Sequence, residues 1–438
     1  MEPKNMKKML SSFLKSEPSL RFPDNCSSSE ESFVMKREPA SSGFLLGSPG
    51  KFAPVSPYAM SPWNNGSPSP GALSPWQSPV VGPLLDGRSY GCIGTMVRQD
   101  GHVYALAISS GGGLLYTGSE SQNIRVWKQP NLSEKGCLRS GTGSVKAIVT
   151  VGDRVFSAHS DHKIRIWRKG KRMGTLPTVK DQLQNSVDPR NFVHVRRHHK
   201  ALWIKHVDVI SSLAVNEEQG VLYSGSWDKT VKVWRMSDWK CVESIQAHHD
   251  AVNCLAVGPG ELLFTGSADC TVKVWRRFKG KHVLIQTLDL QHCAVNGVAV
   301  SPDGGILYAG SADGIVNYWV KEKTSSFFRD GGFIRGHRFA VLCVTTVSNL
   351  VFSGSADKTL RVWRRDAGDF HTCLAVLEGH GGPVKSIAAT MDVLNGSACV
   401  YSGSMDRSVK VWRIQCDNAG PQINPVLSPA WVQQKLGH

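Results

Sequence analysis

The chain has 438 residues, of which 41% are hydrophobic and 20% charged, and its net charge is +16 at pH 7. This hydrophobic content suits a globular protein, and the apolar runs are far shorter than the roughly 20 residues of a membrane-spanning helix, so we expect a soluble protein without membrane insertion. Lysines scattered through the first 18 residues exclude a secretory signal with an unbroken apolar core. A location in the cytoplasm, the nucleus or both is therefore expected.

Residues 1–88 predict a disordered N-terminal arm. They hold many Ser, Pro and Gly residues and few aliphatic runs, so they bury too little apolar area to offset the entropy of ordering. Two Ser-Pro-Trp sequences, ending at Trp63 and Trp76, favour short docking motifs, with a plain spacer as the alternative. Phosphorylation would make the arm anionic. The candidate Ser-Pro sites are Ser48, Ser56, Ser61, Ser67, Ser69, Ser74 and Ser78.

One phrase recurs seven times between residues 117 and 412. Each copy joins an apolar run, a tight turn that usually contains Asp, and a second apolar run that ends in Trp. The seven tryptophans are Trp127, Trp167, Trp234, Trp275, Trp319, Trp363 and Trp412. Their spacing of 40 to 49 residues, with one interval of 67, is typical of one four-stranded blade per repeat. We predict an all-β, seven-bladed β-propeller over residues 89–413.

The segment before the first repeat is predicted to close the ring. Residues 414–438, assigned to a short C-terminal tail, contain prolines and make a poor fourth strand for the last blade. Residues 92–97 can supply that strand from the other end of the propeller. Such closure hides two sheet edges from solvent.

An insertion over about residues 168–200 separates the second and third repeats. It adds about 25 residues, too few for a further blade of about 40 residues, so we expect an enlarged loop. The sequence NFVHVRR within it is the expected outer strand of the second blade.

The repeats resemble the WD-repeat family over roughly residues 92–412. In several copies a His precedes the inner strand, as in the sequence from His206 to Val215. The resemblance implies a buried hydrogen-bonded tetrad that ties each blade together. In one blade its members are His206, Ser224, Asp228 and Trp234. Repetition around the ring favours this structural role over a catalytic triad.

Three blades depart from the family pattern. In the first blade Ser121 replaces the turn Asp and Gln99 stands at the His position. Gly141 stands at the His position of the second blade, and His292 of the fifth blade lies one residue too close to its strand. We expect these three blades to be less firmly tied.

Equivalent positions of successive blades form a circle on one face of a propeller. The residues before the turn Asp and those that start the inner strands share a face, where WD-repeat proteins often bind partners. Trp227 stands out because tryptophan anchors are enriched at interface centres, although packing against a neighbouring loop is an alternative. The candidate partner-binding residues, called the lip, are Trp227, Asp208, Asp250, Phe339 and Met405.

Two basic groups are further candidates for binding. Residues that follow the tryptophans are expected to form a basic rim on the opposite face, either solvated or binding acidic partners. The rim comprises Lys128, Arg168, Arg235, Arg276, Arg277, Arg364, Arg365 and Arg413. A basic cluster in the insertion could contact a phosphate backbone or, as we prefer, dock a protein. It comprises Arg196, Arg197, His198, His199 and Lys200.

No residue pattern indicates catalysis, a cofactor or a metal. The eleven cysteines include no Cys-x-x-Cys pair, so reduced thiols are expected. Neither a Gly-x-Ser-x-Gly nor a His-Glu-x-x-His motif occurs. We expect a non-enzymatic monomer that binds other proteins.

A closer resemblance suggests a biological role. The Ser-Pro-Trp arm, the segment SYGCIGTMVRQDGHVYALAIS, the insertion sequence VRRHHKALWIKHVD and the Trp-Arg endings are similar to the plant JINGUBANG group of WD-repeat proteins. The resemblance implies a developmental or signalling regulator that restrains pollen germination, with transcription regulators or signalling proteins as partners. Two alternatives stay open. A substrate adaptor of a cullin ubiquitin ligase is disfavoured by the missing Trp-Asp-x-Arg endings, and a nucleic-acid-associated protein is suggested by charge alone.

Overall fold

The computed structural model describes residues 90–97, 100–196, 199–290, 293–323, 325–366, 370–392 and 395–415. The predicted disordered arm, with its seven candidate serines, lies outside the described residues, as does the predicted tail from residue 416 onwards. Gln99, Arg197, His198 and His292 also lie outside them. Every statement below concerns the described part of the chain.

Seven antiparallel four-stranded sheets form the blades, which confirms the predicted seven-bladed propeller. Blade 1 consists of β2 (Val103–Ile108), β3 (Leu114–Ser119), β4 (Asn123–Lys128) and β5 (Ser133–Arg139). Blade 2 consists of β6 (Val145–Val151), β7 (Arg154–His159), β8 (Ile164–Arg168) and β9 (Lys171–Leu176). Blade 3 consists of β12 (Ile210–Asn216), β13 (Val221–Ser226), β14 (Thr230–Arg235) and β15 (Cys241–Gln246).

The remaining blades repeat this order. Blade 4 consists of β16 (Val252–Gly258), β17 (Leu262–Ser267), β18 (Thr271–Phe278) and β19 (Lys281–Asp289). Blade 5 consists of β20 (Val295–Val300), β21 (Ile306–Ser311), β22 (Ile315–Lys321) and β23 (Phe328–Arg335). Blade 6 consists of β24 (Val341–Val347), β25 (Leu350–Ser355), β26 (Leu360–Arg365) and β27 (His371–Leu377). Blade 7 consists of β28 (Val384–Asp392), β29 (Ser397–Ser404), β30 (Ser408–Gln415) and β1 (Tyr90–Val97).

The first strand of each blade lies at the inner edge, where it contacts the first strands of both neighbouring blades. The contacts run from β2 through β6, β12, β16, β20 and β24 to β28, and β28 contacts β2 again, so the ring is closed. Polar side chains reinforce these contacts. Asn253 Nδ2 donates to Val295 O at 2.9 Å, and Asn296 Nδ2 donates to Val341 O at 3.0 Å.

The core lies between adjacent blades, and the repeat glycine of blade 3 allows a close approach there. A Cβ atom on Gly225 of β13 would lie 2.7 Å from Ser212 Oγ and 2.9 Å from a methyl group of Val252, in the next blade. Both distances are too short for any side chain, so glycine is needed for close packing of the two blades. Every residue of β13 is buried, which explains why Val221, Leu222 and Tyr223 follow one another without an intervening polar residue.

The predicted closure of the ring is confirmed. Strand β1 pairs antiparallel with β30, with Tyr90 opposite Ile414 and Val97 opposite Ser408, and a β-bulge between Cys92 and Gly94. The boundary predicted after residue 413 is two residues early. Ile414 is only 2% exposed and packs in the core between blades 6 and 7, so β30 continues through it to Gln415.

The expectation that NFVHVRR is the outer strand of blade 2 is wrong. That position is taken by β9, because a two-residue turn at Lys169 and Gly170 lets Arg168 pair directly with Lys171. A local hairpin of this kind forms at lower entropic cost than a pairing across a long loop. The predicted sequence instead forms β10 (Phe192–Arg196), which pairs with β11 (His199–Leu202) in a separate two-stranded sheet.

A short helix, α1 (Val179–Ser186), and a 3-10 turn (Pro189–Asn191) connect blade 2 to this hairpin. Thr178 caps α1, because its Oγ1 accepts from Asp181 N at 3.1 Å. Trp203 Nε1 donates to Asn185 Oδ1 at 3.1 Å and so ties the hairpin to the helix. The insertion is therefore an ordered element over these residues and more structured than the loop that the sequence predicted.

Candidate functional site

The structure brings the four predicted tetrad residues of blade 3 together. Trp234 Nε1 donates to Ser224 Oγ at 2.9 Å, and Ser224 Oγ lies 2.8 Å from His206 Nε2. His206 Nδ1 lies 2.8 Å from Asp228 Oδ2. A neutral imidazole satisfies this chain of bonds, since it accepts at Nε2 from the serine and donates from Nδ1 to the carboxylate.

The same arrangement recurs in blades 4, 6 and 7. The His–Asp pairs are His248–Asp269 at 3.0 Å, His337–Asp357 at 2.8 Å and His380–Asp406 at 2.8 Å. The tryptophans of these blades donate to Thr265, Ser353 and Ser402 at 2.8 to 3.0 Å. Four equivalent copies around the ring indicate a structural function.

Burial sets the ionisation states within the tetrads. It lowers the pKa of His206 and His248, against the opposing effect of their aspartates, and so favours neutral imidazoles. Burial alone would raise the pKa of Asp269, but bonds from Thr271 and His248 lower it to about 2. The tetrads of blades 3 and 4 thus hold a carboxylate beside a neutral imidazole.

This Ser-His-Asp geometry does not form an accessible nucleophile. Ser224 is 0% exposed, and its Oγ already accepts a hydrogen bond from the indole of Trp234. A serine nucleophile must reach a substrate carbonyl and needs donors aimed at the developing oxyanion. The tetrad therefore holds the turn in place and supplies no reactive group.

Blade 2 replaces the missing histidine from another strand. His159, at the end of β7, places Nε2 2.8 Å from Ser157 Oγ, which also accepts from Trp167 Nε1 at 2.8 Å. The turn residue Asp161 binds Arg165 at 2.6 Å instead of a histidine. In the sequence SAHSDH, His159 stands at the position where the other copies carry Ser. This replacement of Ser by His was an available sequence signal for the altered tetrad of blade 2, although it was not used to predict it.

Blade 1 uses an ion pair in place of the His–Asp pair. The guanidinium of Arg125 binds Asp100, with one bond of 3.1 Å from Nη2, and it also binds Glu134. Trp127 Nε1 still donates to Thr117 Oγ1 at 3.1 Å. Blades 1 and 2 therefore both keep the hydrogen bond from the repeat Trp, although a different group fixes the turn. That these blades are less firmly tied stays a prediction.

Stability is expected to fall as the pH decreases from about 7.5 to about 5. Burial and the nearby charge of Arg165 lower the pKa of His159 to about 4, from an ordinary value of about 6.5. The folded state resists protonation of His159. The stabilisation that this neutral side chain provides is therefore complete above the pKa of His159 in the unfolded state, and it is lost as the pH falls towards the pKa in the folded state. His159 alone accounts for about 2 kcal/mol over this interval.

Thermal unfolding of the full chain and of His159→Gln at several pH values measures this loss. The variant should show a shallower dependence on pH, whereas His249→Gln, at an exposed position, should match the parent chain. An unfolding midpoint of the parent chain that stays constant between these pH values would contradict the assignment.

The lip residues lie on the upper face, defined by the turns between the second and third strands of the blades. Trp227 is 45% exposed and Phe339 is 63% exposed, while Asp250 is exposed and Asp208 and Met405 are half-buried. They are spread over blades 3, 4, 6 and 7. Asp208 and Asp250 hold equivalent positions, since each carboxylate accepts from the following backbone N–H at 2.7 or 2.8 Å.

The upper face also carries basic residues beside the lip that were not predicted from the sequence. The residue after each turn Asp adopts a left-handed conformation, with φ between 69° and 72° at Lys229, Lys358 and Arg407. These three side chains are exposed on the upper face. Lys229 Nζ donates to His249 O at 2.7 Å, which links blades 3 and 4. Their common place in the repeat was a signal available from the sequence.

A groove of about 930 Å³ lies between the insertion hairpin and blade 3. Its lining includes Val193 of the insertion hairpin, Trp203 and Lys205 of the segment that follows the hairpin, and Asp208 of the lip. Lys232 forms part of the wall of the groove, and its Nζ donates to Ser244 Oγ at 2.9 Å. Burial lowers the pKa of the Lys232 amine. The groove therefore joins the insertion to the lip in one continuous surface.

Of the basic insertion cluster, Lys200 is exposed, and Arg196 and His199 occupy strand positions in β10 and β11. Arg197 and His198 lie outside the described residues. In the described ranges, no group of three or more His, Cys, Asp or Glu side chains could hold a metal ion. Among the helices described, none is both long and apolar enough to span a membrane.

Comparison with known families agrees with this geometry. The profile of the family described as WD domain, G-beta repeat matches residues 91–128, 197–235, 239–276, 283–319, 330–364 and 371–413, which is more than half of the chain. The chain belongs to the WD-repeat family. Blade 2 of this WD-repeat protein falls outside the matched ranges, consistent with Gly141 at its histidine position.

Several curated WD-repeat relatives share limited identity with this WD-repeat protein. It is 26% identical over 213 residues to WD repeat-containing protein pop2 of Schizosaccharomyces pombe, covering 47% of this chain and 26% of pop2. It is 28% identical to Striatin-3 of Rattus norvegicus, covering 39% of this chain and 25% of that protein. It is also 29% identical to Myosin heavy chain kinase C of Dictyostelium discoideum, covering 32% of this chain and 14% of the kinase. The chain thus spans about a quarter or less of the length of these relatives.

The predicted basic rim of the WD-repeat protein lies on the lower face, where the third and outer strands are joined. Several of its cations bind carboxylates on the same face. The ion pairs are Arg168–Asp153, Arg235–Asp238, Arg364–Asp366 and Arg365–Asp303, each at 2.7 or 2.8 Å. This pairing reduces the net positive charge that the sequence alone predicted for the rim.

Proposed function

We propose that the protein is a non-enzymatic regulatory scaffold that binds protein partners through the lip. The observation that carries this proposal is the exposure of two large aromatic side chains, Trp227 and Phe339, on turns of the upper face. Exposed aromatics on a rigid frame lose little entropy on binding and are enriched at interface centres. The surrounding charges of Asp250, Lys229 and Lys358 suit a polar rim around such anchors.

The resemblance to the plant JINGUBANG group supports a more specific proposal. By that resemblance, the protein is a developmental or signalling regulator that restrains pollen germination. It acts in the cytoplasm, the nucleus or both, as a monomer that binds transcription regulators or signalling proteins. The groove beside the insertion supports this role because the sequence VRRHHKALWIKHVD, which contributes to the resemblance, contains the groove residues Trp203 and Lys205.

Trp227→Ala is expected to remove at least one partner while leaving the fold intact. Truncation of a buried interface tryptophan costs about 2 kcal/mol or more of binding free energy, whereas truncation of an exposed side chain changes folding stability by only about 0.5 kcal/mol. Quantitative mass spectrometry after affinity purification from pollen tubes, with full-length bait, measures the loss. Pollen expressing the variant should also germinate without restraint.

Phe278→Ala is the matched control, because Phe278 is an aromatic residue 64% exposed at the lower-face end of β18. It should retain every partner of the parent chain. Identical partners at equal abundance for the parent and Trp227→Ala would refute the lip as the binding surface. Loss of the same partners from both variants would also refute it.

A further inference from the structure

The lower face carries a repeated contact between neighbouring blades. The second strand of every blade has an aromatic residue two positions before the repeat Gly or its equivalent. Six of these aromatics are 0 to 3% exposed. They are Phe156, Tyr223, Phe264, Tyr308, Phe352 and Tyr401.

Four of these aromatics contact a residue of the next blade directly, and the other two, Phe352 and Tyr401, share a packed cluster with it. The covering residue always lies two positions before the outer-strand residue that pairs with the repeat Trp. Trp239 covers Phe156 with ring centroids 5.6 Å apart, and His371 Nε2 lies 2.8 Å from Tyr308 Oη. The complete set of covering residues is Trp239, His282, Phe328, His371, Tyr90 and Leu132.

Blade 2 has no side chain at this covering position. Trp167 pairs with Arg172, so the position two residues earlier is Gly170. Gly170 lies in the two-residue turn of the β8–β9 hairpin with a φ of +80°, and nothing lies within 4 Å of the place where its Cβ would be. A larger side chain at this position would cover Tyr116 of blade 1. Tyr116 is half-buried, whereas its six equivalents in the other blades are buried.

The missing side chain leaves a cleft of about 480 Å³ between blades 1 and 2. Tyr116, Val126, Leu138, Val155 and Trp167 provide an aromatic and aliphatic floor. The remaining lining includes Lys135, Lys169 and the ion pair of Arg168 with Asp153. The three cations Lys135, Arg168 and Lys169 outnumber the single carboxylate of Asp153 in this lining, so the entrance carries a net positive charge.

We propose that this cleft binds an acidic peptide segment of a partner protein that inserts one aromatic side chain over Tyr116. Elsewhere in the ring, five of the six residues at the covering position have aromatic rings. The cleft between blades 1 and 2 therefore has the size and lining for an aromatic ring. The lysines at the entrance favour carboxylate-bearing residues beside the inserted ring. This surface lies on the lower face and is independent of the lip.

The probe is a fluorescein-labelled peptide with a central tryptophan and two Asp-Glu pairs flanking it, titrated against the full chain by fluorescence anisotropy. Gly170→Trp fills the cleft from within, as Trp239 does for the next pair of blades at a φ of 63°. We expect it to weaken peptide binding by about tenfold or more. Exchange of Lys135 and Lys169 for Glu should weaken binding similarly, as should replacement of the peptide tryptophan by alanine.

Gly280→Trp is the matched control. Gly280 occupies the same two-residue turn of blade 4 with a φ of +82° and open space at its Cβ, but in that blade the covering residue is His282. This variant should lower the unfolding temperature at least as much as Gly170→Trp does, because its ring fills no cleft, and yet bind the peptide as the parent does. Trp227→Ala should also bind it normally, which separates this proposal from that of the lip.

Two results would overturn the proposal. One is a peptide that binds the parent chain and Gly170→Trp equally, because the aromatic side chain would then not occupy the cleft. The other is an absence of detectable binding to the parent chain at millimolar protein, where even a weak site of this size is occupied.

Discussion

Removal of residues 1–97, and hence of β1, is expected to abolish cooperative unfolding of the propeller. Met96 is 8% exposed in a buried cluster shared by blades 7 and 1, and Tyr90 and Ile93 pack against buried clusters of the same region. Full burial of one such side chain contributes about 1.5–3 kcal/mol, and the half-buried Tyr90 and Ile93 contribute correspondingly less. A total near 5 kcal/mol is comparable with the whole stability of many native proteins.

Calorimetry and hydrogen exchange of two truncated chains test this expectation. The chain that starts after residue 97 should show a broad transition and weak amide protection in blade 7, because the outer edge of β30 is then unpaired. The chain that starts after residue 88 keeps β1 and should unfold like the parent. Equal midpoints for the two truncated chains would show that β1 contributes little.

Asp228→Ala is expected to destabilise the fold by about 3–5 kcal/mol. The carboxylate accepts from His206 Nδ1 at 2.8 Å, from Val207 N at 3.0 Å, and from both N and Oγ1 of Thr230 at 3.0 and 2.6 Å. The side chain is 3% exposed, so water cannot freely replace these bonds. Each buried donor left without an acceptor costs about 1–3 kcal/mol.

Chemical denaturation measures the change in the free energy of unfolding. Asp250→Ala is the control, because Asp250 is exposed at the start of the next inner strand and should change stability by about 0.5 kcal/mol or less. A similar small effect for Asp228→Ala would mean that the tetrad does not hold the turn in place.

The sequence was sufficient for the number of blades and for ring closure because local patterns indicate both. The Gly-Ser pair, the turn and the Trp are short-range signals that recur at nearly constant spacing, and proline after Trp412 excludes a local fourth strand. The outer strand of blade 2 was placed wrongly, since the apolar alternation of NFVHVRR outweighed the Lys169–Gly170 turn. That turn brings Lys171 back beside Arg168 within two residues.

The candidate sites were predicted less completely because they depend on contacts between blades. The tetrad of His206 follows from its family pattern, whereas the substitute role of His159 requires knowledge of which strand faces Ser157. Positions in the lip follow from the repeat, but the exposure of Trp227 does not. The open space at Gly170 becomes visible only when the strand pairings of all seven blades are compared.

Ring closure by the first strand also has a consequence for biosynthesis. Strand β1 leaves the ribosome early, but its partner β30 begins at Ser408, more than 300 residues later. At a translation rate of about 5–20 residues per second, β1 waits roughly 15–60 seconds for that partner. During this interval the nascent chain holds an unsatisfied strand that can pair with a neighbouring polypeptide, so we expect its newly made form to depend on chaperones.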